Sequence, residues 1–213
     1  MISRKEFKRQ YLAELLPTSA ANYAVGDIWD RIGMSDTLVP ENENIGYLCG
    51  NEALSKQLET IERVDANFPD IDITQDVNEE IDVQLLSFDV SVLSSLHVQK
   101  VEKMVIKGVT VKNSLNGYKN NIAKAVEVLR NTDIEKYRKK LRSKELVLAL
   151  FYADCVEIQI AKEVNNQNAF KLALEKLFKV DSKVKFETNN KVKISLSNPE
   201  CPFAAQFVMG RDI

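Results

Sequence analysis

The chain has 213 residues, 45% hydrophobic and 28% charged, a usage that excludes wholesale disorder and permits a sizeable core. No stretch approaches the roughly 18 uncharged apolar residues of a membrane-spanning helix. Met1–Arg9 has no apolar run behind a basic start, so neither a transmembrane segment nor a signal peptide is expected.

Helical spacing comes first. Ser3 with Glu6 three residues on forms a capping pair, and Phe7, Tyr11, Leu12 and Leu15 recur on one face, predicting a helix over 3–16 that Pro17 ends. Ala24–Trp29 reads as a short strand. Residues 33–46, with Gly33, Pro40, Gly46 and several Asn and Asp, read as an irregular surface connection. Asn51–Val64 reads as a helix with Leu54, Leu58 and Ile61 on one face.

From Ile71 to Val111 the period falls to two. Ile81, Val83 and Leu85 share one parity while Phe88, Val90 and Val92 take the other, which signals a bulge or turn near Leu86–Ser87. Val98–Val111 continues as strand, with Gly108 as its kink or turn. Helical spacing returns at Tyr118–Arg130 through Ile122, Val126 and Leu129, and at Asp133–Arg142 through Ile134, Tyr137 and Leu141. Thr132 or Asp133 caps the second of these helices. Glu145–Val164 reads as a strand, buried through Leu146–Tyr152 and turning or bulging near Asp154–Cys155. A helix is expected over Ala169–Phe178, with a hairpin over Lys183–Leu196 turning at Asn189-Asn190 and a last strand over Phe203–Met209. No repeat, low-complexity segment or Gly/Ser linker interrupts the chain, so a single domain is expected over 1–213. The fold class is α+β, a mostly antiparallel sheet with several amphipathic helices packed against it.

Charge is unevenly spread. Net charge is only −2, yet residues 1–98 hold 7 Lys and Arg against 18 Asp and Glu, whereas residues 99–213 hold 22 against 13. Such a split yields either two opposed surfaces or two segments that interleave and neutralise each other in space. Cys49, Cys155 and Cys201 are scattered and odd in number, which fits a reducing, cytoplasmic setting better than a disulfide framework.

Few residues offer chemistry. His97 is the single histidine and sits in strand-like sequence with no partner nearby. Cys155 lies in an apolar strand, where a thiol is usually inert core. The seven glycines form neither G-x-G-x-x-G nor G-x-x-x-x-G-K-[ST], so phosphate-cradling loops of those kinds are disfavoured. Three scattered cysteines and one histidine give no zinc spacing, and no cofactor or metal is expected. Asp70, Asp72 and Asp76 resemble a hard-cation set, but the glycine and closing glutamate of a calcium loop are missing, and edge-strand protection explains them as well. Asp27 and Asp30, flanking Trp29, form a second carboxylate pair with turn or capping roles as the alternative. The main positive feature is Lys136, Arg138, Lys139, Lys140, Arg142 and Lys144, which coat a helix whose Ile134, Tyr137 and Leu141 face inward. Such a helix can meet an anionic partner, or simply present a solvated face. No aromatic platform interleaves with these basic residues, so nucleic acid is not the expected partner.

Four stretches resemble the pore-forming N-terminal domain of gasdermins: the basic run Lys136–Arg142, the strand Glu145–Tyr152 continuing to Val164, the apolar strand Phe203–Val208, and Ala24–Ile28 near an early strand. That resemblance implies a protein that binds acidic lipid through basic residues and refolds amphipathic hairpins into a transmembrane β-barrel. The chain departs from the family in having no recognisable inhibitory C-terminal segment and no evident lipid-docking start. The residues themselves predict a non-enzymatic interaction protein with complementary acidic and basic surfaces, meeting a protein partner or a second copy of itself. The alternatives are anionic lipid as partner, with gasdermin-like membrane activity, and a small enzyme that uses carboxylates.

Overall fold

A computed structural model of the protein describes residues 4–16, 23–32, 37–74, 100–114, 119–161, 182–187, 191–197 and 202–213. The strands are β1 (Glu14–Leu15), β2 (Asp27–Ile32), β3 (Thr37–Asn44), β4 (Val64–Asp65), β5 (Ile71–Thr74), β6 (Lys100–Asn113), β7 (Glu145–Ala161), β8 (Ser182–Glu187), β9 (Lys191–Ser197) and β10 (Ala204–Met209). The helices are α1 (Arg4–Tyr11), α2 (Ile45–Leu48), α3 (Glu52–Glu59), α4 (Lys119–Thr132) and α5 (Ile134–Lys140), with a closing 3₁₀ turn at Gly210–Asp212. The protein is therefore α+β, and the strand pairs β2/β3, β2/β7, β5/β6, β7/β9 and β8/β9 are all antiparallel.

The chain resolves into two compact units, each assembled from three separate stretches. The first comprises residues 1–21, 65–110 and 151–204, and the second 22–64, 111–150 and 205–213.

In the first unit β5 pairs with β6 from Ile71↔Ile106 to Thr74↔Lys103, and β9 lies between β7 and β8. Period-two alternation is what buries Ile71 and Ile73 together, as well as Met104 and Ile106. Rings line up from Phe7 to Tyr11 (5.0 Å), Tyr11 to Phe68 (4.7 Å) and Phe68 to Phe151 (5.6 Å). α1 is shorter than the sequence predicts. The chain leaves the helix at Leu12, whose φ is +51°, and extends so that Leu15 and Leu16 are buried and Leu12 is exposed. At Gly108 φ is +61°, and a Cβ there would lie 2.8 Å from that of Asp154, which is why the kink in β6 carries glycine.

In the second unit β7 pairs with β2 through Ile28↔Leu146 and Trp29↔Glu145, and β2 pairs with β3 from Asp27↔Asn44 to Ile32↔Thr37. The reading of 33–46 as irregular is corrected over 37–44, which forms the edge strand β3. A sequence of Thr37-Leu38-Val39-Pro40-Glu41-Asn42-Glu43-Asn44 has poor strand propensity, but pairing with buried β2 overrides it. The misfit is absorbed in a register shift opposite Ile28/Trp29, where Asn42 has φ +54°. α3 starts at the cap Asn51, whose side chain accepts the Leu54 N–H, and buries Leu54 and Leu58. Its predicted end at Val64 is too late, because the helix closes at Thr60 and Ile61 is buried from the following loop. α4 buries Ile122, Ala125, Val126 and Leu129, and Asp133 caps α5 by accepting the Lys136 N–H at 3.0 Å.

Of the turn or bulge expected near Asp154–Cys155, the turn is absent, since β7 is one strand from Glu145 to Ala161. It is buried from Glu145 to Ala153 except for half-buried Leu148, and the change at Asp154 is one of exposure. The expected strands over 81–92, the helix over 169–178, the Asn189-Asn190 turn, the Ser3 cap, and His97, Asp76 and Cys201 lie outside the described residues.

Candidate functional site

The second unit brings together stretches of opposite charge that lie apart in the sequence. The second unit unites the acidic 22–64 with the basic 111–150 and holds 14 Lys and Arg against 13 Asp and Glu; the first holds 15 against 18. Acidic and basic stretches therefore meet inside one unit, and the six basic residues singled out by sequence show how.

α5 spans only Ile134–Lys140, so Arg142 and Lys144 sit in the turn that follows it and not on a helix. Tyr137 and Leu141 are buried as expected, whereas Ile134 is 42% exposed, a correction to its inward placement. The Tyr137 hydroxyl donates to the Gly210 carbonyl at 3.4 Å, and the Arg130 guanidinium lies 4.9 Å from the Tyr137 ring centre. Burial of Tyr137 and Leu141 seats the helix firmly in its unit.

The basic side chains then take different roles. Lys144 is the most enclosed, 16% exposed, and its ammonium donates to Asp30 Oδ2 and, at 2.8 Å, to Glu41 Oε1. Burial pulls its pKa down, but the bonds to Asp30 and Glu41 together outweigh that and hold it above the ordinary 10.5. Lys140 Nζ reaches Glu43 Oε2 at 3.3 Å. Lys136 Nζ donates to the Leu48 carbonyl at 2.7 Å, and Arg138 makes a long 3.5 Å contact with Glu135 in its own helix. Lys139 and Arg142 are exposed and have no ion-pair partner among the described residues. Arg31 and Glu145 add a further pair at 2.7 Å between β2 and β7.

The carboxylates proposed for chemistry are not gathered. Asp27 Oδ2 accepts the Ala24 N–H at 2.7 Å and Oδ1 accepts from Asn44 Nδ2 at 3.0 Å. Burial pushes the Asp27 carboxyl up; these two bonds offset part of the rise and the charge of Glu59 adds to it. Asp30 is engaged by Lys144 instead. Asp72 pairs with Lys103 at 2.9 Å, while Asp70 is exposed. Among the described residues no three His, Cys, Asp or Glu side chains gather as metal ligands. Cys155 is half-buried rather than core, and Cys49 is likewise a half-buried free thiol.

Sequence reasoning missed two features of the second unit. One is a buried polar knot: Asn44 Oδ1 accepts from Gly46 N–H (3.0 Å) and Ser55 Oγ (3.2 Å), while its Nδ2 donates to the Val25 carbonyl and Asp27. The other is an open groove of about 310 Å³ between α3 and α4, lined among others by Cys49, Ala53, Gln57, Lys124 and Val128. Both depend on long-range placement and leave no local pattern. No helix among the described residues is long and apolar enough to cross a membrane. Compared with known protein families and with curated proteins, the sequence matches none.

Proposed function

We propose that the protein is a non-enzymatic interaction protein that receives an acidic protein segment on the basic stretch Lys136–Lys144. One observation carries this reading: Lys139 and Arg142 are exposed and have no carboxylate partner among the described residues, beside two lysines that are already anchored. Anchoring of the neighbours and burial of Tyr137 and Leu141 leave little backbone entropy to lose on binding, which is how a small charged patch gains affinity. The engaged state of Asp27, Asp30 and Asp72 favours binding over a carboxylate-based reaction, since each already serves a structural partner. Free thiols at Cys49 and Cys155 fit the cytoplasmic setting that the reading assumes.

The test is fluorescence anisotropy with a labelled Glu-rich peptide, at low and at high salt. Wild type is expected to bind and to weaken with salt. Removing both free charges in Lys139→Ala/Arg142→Ala is expected to weaken binding about fivefold, the worth of two exposed charge contacts. Vesicles with and without anionic lipid form a parallel arm. Capture by anionic vesicles alone, with no peptide binding, would replace this reading by the lipid one. Binding to neither probe would remove both.

A further inference from the structure

The strand β3 departs from regular geometry at the point where its carboxylates meet the basic stretch. Its register against β2 slips between Ile28↔Glu43 and Trp29↔Pro40, which leaves Glu41 and Asn42 as extra residues, and Asn42 takes φ +54°. A bulge of this kind re-aims side chains. Here Glu41 ends on Lys144 and Glu43 on Lys140, about a hundred positions away in sequence and within the same unit.

The two contacts differ in kind. Lys144 is held by two carboxylates and is 16% exposed. Lys140 has one carboxylate at 3.3 Å, with the lysine 42% and the glutamate 35% exposed. An exposed single pair of this sort is worth little and exchanges partners easily. Lys140 is also flanked by Lys139, and by Arg142 two positions on, the two cations with no partner of their own among the described residues.

We infer that Glu43 is a built-in competitor for the acidic ligand, occupying Lys140 until that ligand displaces it. This rests on the reading of Lys136–Lys144 as the binding stretch. An incoming carboxylate settles on Lys139 and Arg142, takes Lys140 from Glu43, and leaves Lys144 clasped by Asp30 and Glu41. Proton inventory and covalent structure are unchanged; one ion pair is exchanged for another. Glu43 thereby sets a threshold, because a ligand with too few carboxylates to replace it gains only the two outer contacts.

The experiment uses the full chain and the same labelled Glu-rich peptide, with each variant's thermal unfolding recorded to confirm that it folds. Glu43→Gln is expected to tighten binding about threefold, the worth of one exposed ion pair. Glu62→Gln removes an equal charge from an exposed position of the same unit and is expected to change little. In a Lys140→Ala background Glu43→Gln is expected to bring no gain, because the glutamate acts through that lysine. An equal gain from Glu43→Gln with Lys140 present or absent, or from Glu62→Gln, would overturn the inference in favour of a general charge effect. No gain from Glu43→Gln while Lys139→Ala/Arg142→Ala still weakens binding would overturn it and spare the binding stretch. A Lys139→Ala/Arg142→Ala variant that binds like wild type would remove the reading and the inference together.

Discussion

At the scale of single residues, burial decides reactivity and stability more than side-chain type does. Burial pushes the Cys49 thiol up to about 11, with the charge of Lys136 opposing the rise. A thiol ordinarily near 9.0 thus carries on the order of a hundredfold less thiolate at pH 8. Cys49 should label with iodoacetamide far more slowly in the native protein than in urea, and Lys136→Ala should slow it further. Rapid native labelling at Cys49, located by mass spectrometry, would contradict the raised pKa of its half-buried thiol. Asn44 is the other decisive residue, since it satisfies Gly46, Ser55, Val25 and Asp27 at once. Asn44→Ala leaves several buried polar groups unpaired and should cost about 2–4 kcal/mol by urea unfolding, more than a surface substitution does. Gly46 belongs to the same knot: a Cβ there would lie 2.6 Å from the Ser55 backbone nitrogen, so the closeness of α2 to α3 requires glycine.

At the scale of elements, the ion pairs of the α5–β7 turn differ in what they hold. Lys144→Ala strands Asp30 and Glu41 beside each other and should destabilise the protein by about 1–2 kcal/mol. Lys139→Ala should stay within about 0.5 kcal/mol of wild type. Equal effects in thermal or urea unfolding would mean that the Lys144 clasp does not matter to the fold. The elements themselves were legible where periodicity is long and apolar. Ile122, Val126 and Leu129 on α4, Asp133 as a cap, the β8/β9 hairpin strands and the buried first half of β7 all follow from local pattern. Elements held by pairing or by partner charges were not. β3 has the composition of a loop and becomes a strand because β2 and two lysines complete it, and Leu12 keeps helical spacing although the chain has already turned away. As for the site, the six basic residues stood out as a run, but nothing local revealed which were already taken. Lys140 and Lys144 find their carboxylates about a hundred residues upstream, a pairing that only the fold creates.

At the scale of the whole molecule, each unit holds nearly equal numbers of acidic and basic residues. The pH response then comes from a few displaced groups. Glu157, on β7, is held below the ordinary carboxylate range by bonds from Lys193 and Lys107. A depressed folded-state pKa adds stability that is present above about 4.5 and is lost as pH falls through the lowered value. Asp27 behaves oppositely: its raised pKa means that the charged form is disfavoured in the fold, so its cost is absent below 3.8 and grows as pH rises through the raised value. Urea unfolding across the acid range should therefore show Glu157→Gln losing part of the acid sensitivity of wild type. Asp27→Asn should compare best with wild type at neutral pH and progressively less well in acid. Parallel profiles for both variants and wild type would contradict these assignments.

The lone tryptophan offers a way to watch the second unit at work. Trp29 is wholly enclosed, set edge-on to Tyr23 at 4.4 Å and to Phe207 at 5.6 Å, and its indole Nε1 meets no hydrogen-bond acceptor among the described residues. An indole so dry and so crowded by rings should emit at short wavelength and be shielded from iodide or acrylamide. It stands on β2 next to Asp30, one residue from the clasp on Lys144. The protein thus carries its own optical gauge, in which a red shift records β2 opening to water and an unchanged spectrum on ligand addition records exchange confined to the surface.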